Sequence, residues 1–257
     1  MSWTEQVALV TGGARGIGRA IVQRLARQGA AVAINYVSNT EAAESLVAEI
    51  EHAGGRAVAV QADVSDDADV EMMVDRVTAA LGPPTILVNN AGVSYPATLD
   101  TYDRDRLSRM RHVNADGVIF TTRATMRGMR ERGYGRIVNI TSNAGIGTSL
   151  PGTTFYAASK AEVIVLTRRF AMELGPHGIT VNAIAPGFVE TEMARRNRSV
   201  AEWEAVAKRI AALAMTGRVG RPDDIANAVA FLASPESGWI TAQLLTVDGG
   251  RMDYIAH

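Results

Sequence analysis

Seven short runs rich in apolar and β-branched residues recur along the chain, at 7–11, 31–35, 57–61, 86–90, 136–141, 179–183 and 244–247, with helix-like spacing between them. Strands that alternate with helices have to be joined by crossovers, and crossovers make a parallel sheet. The runs are apolar almost throughout rather than alternating, which fits strands covered on both faces. Right-handed crossovers then give a doubly wound α/β sandwich of three layers around a seven-stranded parallel sheet. Helices are expected at about 16–28, 40–53, 67–81, 103–131, 156–174 and 223–233, from apolar residues three and four apart. Ser65 is placed to cap the third helix, Gly29 to follow the first, and Asp223-Asp224 to begin the last.

No repeat, low-complexity linker or composition shift divides the 257 residues, so a single domain spanning 1–257 is expected. The stretch at about 188–215 is longer than a plain connection requires. It reads equally well as a substrate lid or as a helical pair packed on the surface.

Composition narrows the chemistry. With 47% hydrophobic and 21% charged residues and a formal charge of -1, nucleic acid is not an expected partner. The absence of cysteine removes thiolate nucleophiles and disulfides. His52, His112, His177 and His257 have no ligand-like spacing, so no metal is expected. No leader-like or membrane-spanning run is apparent, which makes a cytoplasmic location the default.

The turn Thr11-Gly12-Gly13-Ala14-Arg15-Gly16-Ile17-Gly18 follows the first strand and opens the first helix. Gly12, Gly16 and Gly18 carry no side chains to block a pyrophosphate, and the helix start presents free N–H groups to it. A Gly-rich turn alone is a weak signal; between a strand and a helix it points to a dinucleotide. The second strand ends Asn35-Tyr36-Val37-Ser38-Asn39 without a carboxylate before Glu41. An acid there would hold the ribose hydroxyls of NAD and repel the 2′-phosphate of NADP, so its absence, together with Arg15, favours NADP(H).

Tyr156 and Lys160 lie one helical turn apart on one face. A nearby ammonium favours phenolate and would bring the tyrosine toward neutrality as a proton donor or acceptor. By itself the pair is equally compatible with an exposed helical pair. Only Lys160 and Lys208 are lysines in a chain whose other basic residues are arginine, and a lysine kept against that bias fits a site that needs a compact charge. Ser142, expected just past the end of the fifth strand, would face the same crevice and could bond a carbonyl oxygen as charge develops.

Taken in order, Gly12 to Gly18, Asn89-Asn90-Ala91-Gly92, Asn114, Ser142, Tyr156 with Lys160, and Pro186-Gly187 resemble the motifs of the classical short-chain dehydrogenase/reductase family, over nearly the whole chain. The resemblance implies a Rossmann-type fold and an enzyme that moves a hydride between NAD(P) and a CH–OH/C=O group. In that pattern Tyr156 is the acid/base, Lys160 lowers its pKa and bonds the nicotinamide ribose, Ser142 orients the substrate oxygen, and Asn114 holds a water leading to Lys160. The cofactor would meet Gly12, Arg15, Gly16, Ile17 and Gly18 at its phosphates. Asn35, Tyr36, Ser38, Asp63 and Val64 would lie around the adenosine, Asn90, Ala91 and Gly92 beside it, and Pro186, Gly187, Val189 and Thr191 at the nicotinamide. Ser94, Tyr95, Ile146 and Phe188 would border the substrate.

Fourteen positions separate Ser142 from Tyr156, one more than expected in the reductases it most resembles, and Gly145, Gly147 and Gly152 can absorb the extra residue. Arg218 to Ala226 and Val247-Asp248-Gly249-Gly250 are most similar to 3-oxoacyl-carrier-protein reductases. In those enzymes two basic positions meet an acidic acyl carrier protein; Arg127 matches one, while the other falls at His177. The expected reaction is therefore NADPH-dependent reduction of a ketone, with a 3-oxoacyl thioester first. A sugar, steroid or other small ketone is the alternative, and a non-catalytic dinucleotide-binding regulator the reading from another class. Arg195, Arg196 and Arg198 could attract an acidic substrate, although a solvated charge run reads better. The resemblance also implies a homotetramer built through the helices at 103–131 and 156–174 and the last strand.

Overall fold

The computed structural model describes residues 2–147, 151–195 and 198–251. Among the residues singled out above, Arg196 and His257 lie outside them.

Seven strands form one parallel sheet: β1 (Val7–Val10), β2 (Ala31–Tyr36), β3 (Ala57–Gln61), β4 (Ile86–Asn89), β5 (Gly135–Ile140), β6 (Ile179–Pro186) and β7 (Leu244–Val247). Their spatial order is β3-β2-β1-β4-β5-β6-β7. The chain winds outward from β1 to β3, returns to β4 beside β1, and winds outward the other way. That reversal opens a crevice at the carboxyl ends of β1 and β4, where ligands bind in sheets of this kind.

The two-residue period of a strand divides the core. Ala8 and Val10 face a layer holding α1 (Gly16–Arg27), α2 (Thr40–His52) and α9 (Pro222–Ala233), where Ile21, Leu25, Leu46 and Val229 are fully buried. Val7 and Leu9 face α3 (Asp67–Leu81), α5 (Gly117–Arg132) and α6 (Thr154–Leu174), against Met73, Val77, Met129 and Leu174. β1 thus has all four residues buried, as its uninterrupted apolar sequence requires. No helix among the described residues is long and apolar enough to cross a membrane.

Three expectations need correction. Ser65 does not cap the third helix. Asp66 does, its carboxylate accepting from Asp69 N at 3.1 Å, because the Ser65 hydroxyl is drawn to Asp63 Oδ1 at 2.7 Å. The helix expected at 103–131 is interrupted: α4 (Arg104–Arg111) passes into a π-helical turn at His112–Asp116 before α5 begins. Residues 112–116 keep a helical pattern in sequence, but Asn114 is pulled into the protein by bonds to Val93, and Gly117 abuts Val64 so closely that a Cβ there would stand 3.1 Å from Val64 O. A single wide turn accommodates both contacts, and such turns concentrate at functional sites. Finally, β6 runs on to Pro186 rather than stopping at Ala183, since its last four residues pair with β7.

After β6 come α7 (Glu192–Arg195) and α8 (Val200–Ala212). Ser199 and Glu202 close a reciprocal capping box at the start of α8. Trp203 turns inward onto Phe188, the rings 5.9 Å apart and nearly parallel.

Candidate active site

At the end of β1 the chain must turn sharply without side chains in the way. Gly12 and Gly16 both adopt left-handed backbone, φ 60° and 54°, a region in which other residues are strained. The turn is held from behind. Thr11 Oγ1 accepts from the N–H groups of Asn90 and Ala91, each at 3.0 Å, and Asn90 Nδ2 donates to Thr11 O at 2.9 Å and Gly12 O at 3.1 Å. Gly18 lets α1 sit directly on this turn, since a Cβ there would stand 2.2 Å from Gly12 O. Arg15 precedes α1 and is exposed, with no cap bond from its side chain.

Asn35 is placed differently from the sequence reading. It is 1% exposed, its Oδ1 accepts from Gly12 N at 3.1 Å and its Nδ2 donates to Ala62 O at 2.9 Å. Asn35 therefore shapes the turn from behind and has no free surface for a ligand. Tyr36 is half-buried against the α1–α2 layer, while Ser38 is exposed beyond the strand end. At the end of β3, Val64 is buried and Asp63 is half-buried, the latter bonded by Ser65 and by Arg109 of α4.

The second half of the site is built from β5, α6 and the π-turn. Ser142 follows β5 and starts a 3-10 turn at Asn143–Gly145, its Oγ accepting from Ala144 N at 3.2 Å. That turn lies against α6 at Lys160: a Cβ on Gly145 would stand 2.9 Å from Lys160 C. Gly145 is thus a packing requirement rather than loop slack, and it brings Ser142 to the side chains of α6. Tyr156, in the first turn of α6, has the Ser142 hydroxyl close enough to lower its pKa. Lys160 is 4% exposed and its Nζ donates to Ile140 O at 2.9 Å, standing 5.9 Å from the Tyr156 ring centroid.

The Asn114 amide is engaged on every side: Oδ1 accepts from Val93 N at 2.8 Å, and Nδ2 donates to Val93 O at 2.9 Å and to Ser159 Oγ at 3.0 Å. Ser159 in turn donates to Tyr156 O at 2.8 Å, tying the π-turn to the start of α6. Gly92 completes the enclosure, for a Cβ there would lie 3.3 Å from Asn114 Oδ1 and 3.4 Å from Lys160 Nζ.

The electrostatics depart from the simple expectation of an ammonium that acidifies a phenol. Burial pushes the Tyr156 pKa above its ordinary value, and the neighbouring Ser142 hydroxyl only partly offsets this. Burial also brings Lys160 down to about 8. Both shifts favour the neutral form, as desolvation does for acid and base alike. In this structure the phenol holds its proton near pH 7, which suits a donor better than a base.

The end of β6 closes the crevice. Gly187 lies against Asp248, leaving no room for a Cβ, which would be 2.6 Å from Asp248 Cβ. Asp248 Oδ1 accepts from Gly250 N at 3.0 Å and shapes the final turn. Val189 is buried and bridged to Gly220, and Thr191 caps the next segment, its Oγ1 accepting from Ala194 N at 3.2 Å. Gly16 and Thr191 meet across a cleft of about 400 Å³ that also reaches Arg19, Glu192 and Arg195. Arg195 is more engaged than a solvated charge run implies: it pairs with Glu190 and lies 5.0 Å over the Trp203 ring. Arg198 donates to Ala194 O.

Sequence reasoning passed over Arg109, one arginine among many with no positional signal, and Ser159, which the tyrosine–lysine spacing contains without marking. In the sequence Gly145 reads only as a flexible position. Its interval of three residues from Ser142 was the available clue.

A phosphate turn at the switch point and a tyrosine, serine and lysine gathered at the end of β5 define a nucleotide-dependent oxidoreductase. The chain belongs to the short-chain dehydrogenase/reductase family and is an NAD(P)-dependent enzyme acting on a CH–OH/C=O group: a family model described as enoyl-(acyl carrier protein) reductase matches residues 12–251. The short-chain reductase protein NovJ of Streptomyces niveus is 41% identical over 250 residues, covering 96% of this chain and 94% of the relative. A 3-oxoacyl-[acyl-carrier-protein] reductase of Synechocystis sp. is 39% identical, with 97% and 98% covered. Among solved structures, a blue fluorescent protein from a metagenomic library in complex with NADPH is 39% identical and superposes with a TM-score of 0.88 over 97% of this chain and 99% of that one.

Proposed function

We propose that this chain reduces a ketone to a secondary alcohol with NADPH, and that a 3-oxoacyl thioester is its substrate class. The observation that carries the reading is Tyr156 gathered with Ser142 and a buried Lys160, whose Nζ lies 5.9 Å from the tyrosine ring centroid. The dinucleotide fits the residues present. Left-handed Gly12 and Gly16 keep the pyrophosphate path free of side chains, Ile17 and Gly18 begin the helix behind it, and Arg15 is exposed where no carboxylate opposes a 2′-phosphate. Asp63 and Val64 would hold the adenine side, Asn90, Ala91 and Gly92 the middle, and Pro186, Gly187, Val189 and Thr191 the nicotinamide side. The resemblance to a protein solved with NADPH supports the same choice.

When bound, the reduced nicotinamide supplies the hydride that adds to the carbonyl carbon. Ser142 and Tyr156 hydrogen-bond the carbonyl oxygen, and as negative charge develops there the Tyr156 hydroxyl transfers its proton to it. Lys160 compensates the phenolate left behind and holds the ribose. Asn114 fixes the π-turn and, through Ser159, the start of α6; a water bound to the turn would return a proton toward Lys160. The described residues between 188 and 215 would form the lid of a single catalytic domain.

The thioester reading draws on the similarity to 3-oxoacyl-[acyl-carrier-protein] reductases. An acyl carrier protein is the weaker partner assignment, because Arg127 already pairs with Glu131 and His177 replaces the second basic group. Assembly as a homotetramer is supported by apolar side chains left exposed on α6, α9 and β7, among them Val165, Met172, Phe231 and Leu245. Sedimentation showing a monomer would remove that part. Steady-state reduction of acetoacetyl thioesters and a panel of small ketones, with NADPH and NADH, tests the rest. Activity confined to sugars or steroids would displace the thioester, and a higher kcat/KM with NADH would displace NADP.

A further inference from the structure

At the carboxyl end of β3, Asp63 is held by three donors. Its Oδ1 accepts from Ser65 N at 3.0 Å and Ser65 Oγ at 2.7 Å, and its Oδ2 accepts from Arg109 Nη2 at 2.7 Å. The other arm of the same guanidinium, Nη1, donates to Ser65 Oγ. Arg109 thus forks across the acid and the serine that orients it, a geometry that lysine cannot reproduce. Asp69 holds the other side of the residue, its Oδ2 accepting from Asp63 N at 2.7 Å. Burial opposes ionisation of Asp63, but the bonds from Ser65 and Arg109 outweigh it and keep the carboxyl below its ordinary value.

An ionised carboxylate has about four acceptor positions. Ser65 fills both on Oδ1 and Arg109 fills one on Oδ2. One position is left, on an oxygen that cannot itself donate. It accepts an amino group and repels an oxo group.

We propose that Arg109 is a positioning residue for base recognition: by forking between Ser65 and Asp63 it leaves a single carboxylate acceptor that selects a nucleotide bearing an exocyclic amine over its 6-oxo counterpart. This rests on the dinucleotide reading above, with Asp63 on the adenine side. As a stability element the pair contributes little, since the side chains of Arg109 and Asp63 remain 42% and 30% exposed. Its consequence is in binding. Without the guanidinium, Oδ2 has two open acceptor positions and no compensating charge, so the carboxyl can turn, take a proton or meet water, and an oxo base is no longer refused.

The test is a fluorescence titration of the full-length protein with NADPH and with reduced nicotinamide hypoxanthine dinucleotide phosphate, which differ at that exocyclic group. Wild type is expected to prefer NADPH by at least about tenfold, the ratio of one lost charged hydrogen bond. Arg109→Gln should weaken NADPH by roughly fivefold to tenfold and the hypoxanthine analogue by less than about twofold, so that the preference collapses. Arg109→Lys should recover part of it, and Tm should stay within about 2 °C of wild type. If Arg109→Gln does not fold, Ser65→Ala serves instead, with the preference reduced by about half or more. Weakening of both nucleotides in proportion, or a preference that survives Arg109→Gln, overturns the proposal. If the wild-type protein binds neither nucleotide, the dinucleotide reading falls and this inference with it; binding of both without discrimination overturns this inference alone.

Discussion

The two halves of the crevice are made of different material. Around β1 and α1 the working surface is backbone: a glycine turn, held from behind by Thr11, Asn35 and Asn90, whose side chains are spent on the fold. Around β5 and α6 the working surface is side chains, with Lys160 buried and bonded to a strand carbonyl and Tyr156 beside Ser142. Glycine turns bind by leaving room, so they fail when something is added. The tyrosine end acts through specific atoms, and it fails when something is removed.

The sharpest way to break that contrast is Tyr156→Phe, which deletes one oxygen. It should lower kcat by about a thousandfold, the scale of a lost general acid, while the NADPH Kd from fluorescence changes by less than about threefold. A kcat within tenfold of wild type would remove Tyr156 from the proton transfer.

Lys160→Arg tests the same half by shape rather than charge. The guanidinium is too large for a site bounded by Ile140 O and Gly92, and kcat should drop about a hundredfold with far-UV circular dichroism retained. Full kcat would show that any fixed cation serves.

Gly18→Ala probes the opposite half by adding one methyl. Because that Cβ would meet Gly12 O at 2.2 Å and Asn90 Nδ2 at 2.7 Å, the turn has to move. Overpacking of this kind costs about 1–3 kcal/mol, and the NADPH Kd should rise by roughly tenfold, with kcat at saturating cofactor changing less. A kcat loss larger than the Kd loss would erase the distinction between the halves.

The tyrosine end also carries a pH dependence. Lys160 titrates at about 8 in the free protein, so kcat/KM for reduction should fall above that pH as its charge is lost. Stability runs the other way. The folded chain releases this proton at about 8 and the unfolded chain only near the ordinary lysine value, so the unfolded state binds more protons between them. Unfolding free energy should therefore rise from pH 8 upward relative to Lys160→Met, and a flat difference would show that the lysine is not desolvated.

The smallest effect is expected at Trp203, which stacks on Phe188 and carries Arg195. Trp203→Ala should raise KM for the ketone about threefold to tenfold, the worth of one aromatic pair, with little change in NADPH affinity. An unchanged KM would dismiss residues 188–215 as a substrate lid.

Local pattern along the chain was enough for the parallel seven-stranded sheet, because doubly covered strands leave continuous apolar runs and crossover helices leave a 3.6-residue period. It also determined the glycine turn and the Tyr156–Lys160 pair, both local in the chain and so visible as spacing. Relations between distant segments emerge only on folding. Asn35 is drawn behind the phosphate turn, and Ser65 is bridged to Asp63 by Arg109 from a distant helix. A π-turn appears where Val93 and Val64 compete for one stretch of helix, and Arg109 reaches Asp63 across 46 positions. The environments of Tyr156 and Lys160 belong to the same group. Hydrogen bonds and desolvation depend on what three-dimensional packing brings alongside a group, and no local pattern in the chain encodes that neighbour.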